Sequence, residues 1–233
     1  MSTYEYILRE LSKGIATTLE LTLIVFVGGF LLGFILAVAR TYGIRPARWL
    51  SIGYIELIRG TPMLLQLYII GFGVPMAIRS YFPQFTINPF WAVAIGMILN
   101  SGAYQAEFIR GAFNSIESGQ MEAAMALGMS KWEIIKNITF PQAFRIEFPN
   151  MTNELIYILK YSSLAMLLAV SEMMYQAKSV GAVTFMYGEI YLMVGAIYLV
   201  FALILARIMN RIEMKLYIPG VTTRATSRKG LLG

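Results

Sequence analysis

The sequence predicts an all-α integral membrane protein with five transmembrane helices and one long polar loop, and three observations carry that prediction. Of 233 residues, 58% are hydrophobic and only 14% are charged, against about 25% charged in an ordinary soluble domain. Residues 21–39, 60–78, 80–106 and 190–206 hold no charge at all. Each stretch is near the length a helix needs to cross about 30 Å of hydrocarbon at about 1.5 Å per residue. None alternates polar and apolar residues in the short segments of a transmembrane barrel.

The first span is expected from Thr17 to Arg40, the second from Gly53 to Ile78 and the third from Asn88 to Ile109. The fourth runs from Pro149 to Val170, interrupted by Glu154 and Lys160, and the fifth from Glu189 to Ile208. The first twenty residues have no apolar core behind a basic start, so the first span is expected to serve as the insertion signal. Lys and Arg crowd the segment after span one (Arg40, Arg45, Arg48, then Arg59), the segment between spans three and four (Arg110, Lys131, Lys136, Arg145) and the tail. Cytoplasmic segments carry that excess, which places the N-terminus outside and the C-terminus inside a bacterial or archaeal cytoplasmic membrane. The net charge of +6 thus has a lipid explanation, and no nucleic-acid partner is expected.

Residues 1–14 place Tyr4, Ile7, Leu8 and Leu11 at helical spacing between charged residues. They read as an amphipathic segment at the outer membrane surface or as a frayed tail. Residues 221–233 are polar, basic and without apolar period, and are expected to be disordered. The body, 15–220, shows no internal repeat, and five spans do not divide into two equal inverted halves, unlike many secondary transporters. The chain has no cysteine and no histidine. That removes thiol chemistry, the usual general base and the commonest metal ligand, so no metal site, catalytic residue or enzyme activity is expected.

Residues 111–148 are too long for a simple connector and too polar for a span. They read as two short helices. The first covers about Gly119 to Leu127 with Gly128 as its stop. The second opens on a Ser130–Glu133 capping box and ends before Pro141. The small residues Ala123, Ala124 and Ala126 beside Glu122 let another surface approach closely, either a partner groove or the membrane face.

The letters go further. Glu122-Ala123-Ala124, Gly128 four residues on, and Ile138-Thr139-Phe140-Pro141 resemble the E-A-A loop of bacterial and archaeal ABC import permeases, with Phe140 where the family has Leu. Glu56-Leu57-Ile58-Arg59-Gly60-Thr61-Pro62, Leu64-Leu65-Gln66, Glu107-Phe108-Ile109-Arg110-Gly111 and Asn153-Glu154 with Lys160, Ser162, Ser163 and Leu164 are similar to the branch that takes up histidine, glutamine, arginine and related polar amino acids. The resemblance spans roughly residues 10–220. It implies a five-span core, pairing with itself or a homologous permease, ABC ATPase subunits and an extracytoplasmic amino-acid-binding protein. It also implies that Glu122, Ala123, Ala124, Ala126, Leu127 and Gly128 form the coupling helix seated in the ATPase. No Gly-rich loop ending in Gly-Lys-Ser or Gly-Lys-Thr occurs, so ATP and Mg are expected in the partner chain and no cofactor in this one.

Polar groups inside hydrocarbon are costly and mark pathways or pairs. Lys160 is expected near mid-membrane, Asn100 at a similar depth, and Glu154 about 9 Å from Lys160 along the axis. They are candidates for an amino acid site: Lys160 for a carboxylate, Glu154 for an amino or cationic group, Asn100 for either. Six residues of one helix separate Glu154 and Lys160 by about 240°, so a pair within one chain is disfavoured. Glu107 and Arg110, three apart, read as a gate or helix-end ion pair. Gly60 and Pro62 read as a hinge or gate in span two. The rival readings are an ion-coupled carrier or channel acting without an ATPase, and a structural subunit with no solute path.

Overall fold

A computed structural model of the chain describes residues 2–216. In order these are α1 (Thr3–Lys13), α2 (Ile15–Tyr42), α3 (Arg45–Arg59), α4 (Met63–Tyr68) and, after a π-helical turn at Ile69–Gly73, α5 (Val74–Arg79). Then come α6 (Pro89–Asn114), α7 (Ser118–Ala126), α8 (Lys131–Ile134), a second π turn at Ile135–Thr139, and α9 (Phe140–Tyr161). α9 tightens into a 3₁₀ segment at Ser162–Leu168, followed by α10 (Met173–Thr184) and α11 (Tyr187–Leu216). The architecture is all-α. The segment 221–233 lies outside the described residues.

Among the described residues, two runs are long and apolar enough to cross a membrane unaided, Thr3–Tyr42 and Tyr187–Leu216. Two bent pairs raise this to four if each is one broken span: Arg45–Arg59 with Met63–Arg79, at 104°, and Lys131–Leu168 with Met173–Thr184, at 52°. α6, at 26 residues, is about 39 Å long. It stays out of that apolar set because Asn100, Ser101, Gln105, Glu107 and Arg110 all lie on it. Surrounding helices bury Ser101 and Gln105 and cover part of the other three, so α6 is central rather than lipid-like.

α2 and α6 form the most extensive helix pair. Gly29 and Gly33, four apart, let the backbones meet: a Cβ at Gly33 would lie 2.8 Å from Gln105 Cβ and 3.0 Å from the Gly102 carbonyl oxygen. Small residues one turn apart are how membrane helices gain close packing without a hydrophobic driving force. Leu21 and Val25 of α2 join Leu67, Val93, Met97 and Ile158 in the main core. At the opposite end Ala37, Ile109, Phe113 and Ala143 close a second cluster.

α1 begins with a capping box, Ser2 Oγ accepting from Glu5 N at 3.3 Å and Glu5 Oε2 accepting from Ser2 N at 2.9 Å. Its Ile7 and Leu11 are fully buried with Met173, Ala177 and Ile190 of α10 and α11, while Tyr4 and Leu8 are exposed.

Three expectations are corrected. The stretch Gly53–Ile78 is not one helix: Gly60, Thr61 and Pro62 break it, because Pro62 has no amide hydrogen and fixes its own φ. The helix opened by Ser130 does not end before Pro141; the chain stays helical from Lys131 through Pro149 to Tyr161. The π turn at Ile135–Thr139 widens the coil just where Pro141 needs an unpaired position and room for its ring. Finally, α10 was not foreseen. It starts on Glu172, whose carboxylate accepts from Met174 N (2.8 Å) and Tyr175 N (2.7 Å), an N-cap role usually taken by Ser, Thr, Asp or Asn.

Candidate functional site

A cavity of about 670 Å³ opens where the break after α3 meets the middles of α6 and α9. Thr61, Pro62 and Met63 form one wall. Asn100, Tyr104 and Phe108, four apart on α6, form the second. Asn150, Asn153, Glu154, Tyr157 and Tyr161 of α9 form the third. The wall at Pro62 is held by Gln66. Its Nε2 donates to the carbonyls of Ile58 (2.7 Å) and Thr61 (3.1 Å) at the helix break, and Ile58 O also accepts from Thr61 N at 3.4 Å. Its Oε1 accepts from Asn100 Nδ2 at 2.9 Å. One amide thus ties the helix break to α6 and aims Asn100.

Glu154 is 9% exposed. Its Oε1 accepts from Ser101 Oγ at 2.7 Å, and Ser101 Oγ accepts from Gln105 Nε2 at 3.1 Å. No Lys or Arg pairs with it among the described residues. Two turns earlier on α9, Glu147 is 1% exposed, with Asn150 Nδ2 donating to its Oε2 at 3.3 Å. α6 and α9 therefore share a polar seam of uncharged donors around two buried carboxyls, one of which faces the cavity.

Lys160 stands elsewhere. It is exposed, outside the cavity wall, with its ammonium 4.5 Å from the Tyr157 ring centroid. The six-residue offset from Glu154 turns it onto another face of α9. The structure brings Asn100, Glu154 and Pro62 into one site, and Gly60 ends α3 beside it. Sequence reading missed Gln66 as a brace, and missed Ser101, Gln105 and Glu147.

Below the cavity, Glu107 gathers three arginines. Arg110 Nη2 donates to Oε2 at 2.9 Å, Arg40 Nη1 pairs with Oε1, and Arg59 Nη1 lies 3.9 Å from Oε2. The Arg59 guanidinium also lies 5.3 Å from the ring centroid of Tyr104, a residue of the cavity wall. The cluster joins α2, α3 and α6, so the expected Glu107–Arg110 pair is part of a larger junction.

The loop helix α7 carries Glu122, Ala123, Ala126 and Leu127 outward, Leu127 being 83% exposed, while Ala124 is buried. It ends in a Schellman arrangement: Met129 N donates to Ala124 O at 3.1 Å and Gly128 N to Met125 O at 2.9 Å. Gly128 sits at φ +81°, which glycine adopts without the Cβ penalty. Ser130 and Glu133 then form a reciprocal capping box. The Ser130 backbone N–H and hydroxyl hold the Glu133 carboxyl below its ordinary value.

Comparison with known proteins adds the lineage. The arginine transport system permease protein ArtQ of Bacillus subtilis is 37% identical over 204 residues, covering 88% of this chain and 91% of its own. The glutamine transport system permease protein GlnP of Escherichia coli is 37% identical over 208 residues, covering 89% and 93%. The L-cystine transport system permease protein TcyB of B. subtilis is 36% identical over 209 residues, covering 88% and 86%. The crystal structure of an amino acid ABC transporter with histidines superposes with TM-score 0.81 at 31% identity, covering 92% of this chain and 99% of that one. An inward-facing MetNI methionine ABC transporter shares the fold, with TM-score 0.73 at 20% identity, covering 94% and 100%. Residues 29–216 match the family described as the binding-protein-dependent transport system inner membrane component; the chain belongs to that family and is a membrane-embedded transport subunit, not an enzyme.

Proposed function

We propose that this chain is the permease of an ATP-binding-cassette importer that carries a polar or charged amino acid across the cytoplasmic membrane. Separate ATPase subunits would drive it, and an extracytoplasmic binding protein would supply it. The observation that carries this reading is the cavity itself. Its volume of about 670 Å³ lies in the range of small-molecule sites, and it sets one carboxylate that no cation pairs with among the described residues, Glu154, beside three amides, Asn100, Asn150 and Asn153. A buried carboxylate with only hydroxyl and amide neighbours favours a cationic ligand group, because burying the charge unpaired is expensive. An α-ammonium or a cationic side chain supplies that group, and Asn100 fits either end of a zwitterion.

In this reading the crossings are five: α2, α4–α5, α6, α9 with its 3₁₀ extension, and α11. The N-terminus is outside, α1 rests at the outer surface, and 111–148 is the coupling loop. Glu122 to Gly128 would sit in the ATPase. Glu107 and its arginines, with Gly60 and Pro62, would form the inner gate. Lys160 and Asn153 are exposed on a crossing helix, where lipid would be a poor neighbour. A second permease subunit would cover them and close the cavity, which reassigns Lys160 from the substrate carboxylate to the rim between subunits.

The test is uptake by vesicles holding the permease, its ATPase and its binding protein, with arginine, histidine, glutamine and cystine in competition. ATP-dependent uptake of one of them supports the reading. Full-rate transport with no ATPase present would establish the ion-coupled alternative instead.

A further inference from the structure

We infer that α3 is a surface-lying helix that binds the anionic headgroups of the cytoplasmic leaflet through Arg45 and Arg48. Three observations combine. First, α3 meets the run Met63–Arg79 at 104°, so if that run crosses the bilayer, α3 lies nearly in the membrane plane. Second, α3 stays at one level: it starts three residues after the end of α2, and its last residue, Arg59, reaches the same Glu107 carboxylate as Arg40 of α2. Third, its outer face is divided as interfacial helices are. Ile44, Trp49, Leu50 and Leu57 are 75%, 69%, 76% and 65% exposed. Arg45 and Arg48 are exposed at the start of the helix and make no ion pair among the described residues, and with the exposed Glu56, two to three turns further on, they leave the face net positive.

Past the first turn Ser51 and Ile55 are buried, and Tyr54 Oη donates to the Leu99 carbonyl at 2.7 Å, so α3 has a settled inner side that faces away from Trp49 and Leu57, while Arg48, on the inner stripe, is exposed because it lies at the start of the helix. Apolar side chains flanked by two unpaired arginines fit an acyl–headgroup boundary with negative charge, which attracts basic groups near its surface. A second protein would have to offer both an apolar strip and acids in the same register. The inference rests on the proposed transporter only for which leaflet α3 meets.

The test uses the full-length chain with Trp91→Phe and Trp132→Phe, which leaves Trp49 as the single tryptophan, reconstituted in phosphatidylcholine–phosphatidylglycerol vesicles. Either lipid is brominated in turn at constant composition. Two arginines at an anionic surface should enrich phosphatidylglycerol beside Trp49 by up to about thirtyfold, read as stronger quenching by the brominated anionic lipid. Arg45→Gln with Arg48→Gln should erase the preference, and Arg45→Lys with Arg48→Lys should keep it. Equal quenching by both lipids, a preference surviving the glutamine pair, or no quenching at all would each overturn the inference. The last would mean that protein covers this face. Quenching needs no transport, so ATP-driven uptake in the same vesicles reports separately on the proposed function.

Discussion

Between α6 and α9 the Glu154 carboxylate has a hydroxyl for company and, among the described residues, no paired cation. Replacing it with glutamine keeps an oxygen for Ser101 and removes only the charge. Losing a charge-assisted contact worth about 1.5–3 kcal/mol should raise the half-saturating concentration for a cationic substrate about tenfold or more, with membrane abundance unchanged. Uptake kinetics against immunoblot levels check it, and an unchanged curve would remove Glu154 from the site. Gln66→Leu should act differently. It takes a partner from the Thr61 carbonyl at the helix break and from the Asn100 amide, a loss of about 1–3 kcal/mol to be read as a lower unfolding temperature in detergent. These two residues also mark what was legible. Asn100 and Glu154 stood out because a charge or amide deep in an apolar run is conspicuous. Ser101, Gln105 and Gln66 did not, because neutral polar residues barely alter hydropathy and their value lies in what another helix presents.

The loop after α6 was readable as helical on both sides of Gly128 because capping chemistry is local. Ser130, Glu133 and Gly128 announce ends whatever the tertiary fold. Pro141 misled for the same reason, since its usual effect is cancelled by a π turn that leaves no sequence mark, and α10 hid because its cap is a glutamate. Gly128→Val forces a β-branched residue to positive φ, at a cost of about 1–2 kcal/mol. Nothing lies within 4 Å of a Cβ there, so the damage is to the turn and not to packing. ATP hydrolysis by the assembled transporter should continue while uptake falls, and wild-type uptake would refute the coupling assignment. Glu133 has a lowered value in the folded loop. Its cap is therefore complete above the ordinary glutamate value of 4.5 and is lost as pH drops through the depressed one. Protease nicking between α7 and α9 should rise in that acid window for the parent chain, and Glu133→Gln should remove the step.

At the scale of the whole molecule, the absence of cysteine makes the proposed pairing simple to probe. Asn153→Cys or Lys160→Cys should each give an oxidant-dependent dimer in membranes and block uptake when cross-linked. A chain that stays monomeric under both would argue that these faces meet something other than a second copy of this chain. The fold class was legible from charge starvation alone. α6 is the harder helix to read, because neighbouring helices bury its Ser101 and Gln105, and a hydropathy window cannot register burial by protein. The π turn at Ile135–Thr139 joins the small helices of the loop to the long helix carrying Glu154. Such a turn holds one residue more than an α-helix has use for, and that surplus can migrate. Each step along the coil twists the segment it passes by about 100° and slides it about 1.5 Å, so a tug arriving from the cytosol would reach the carboxylate as a screw motion.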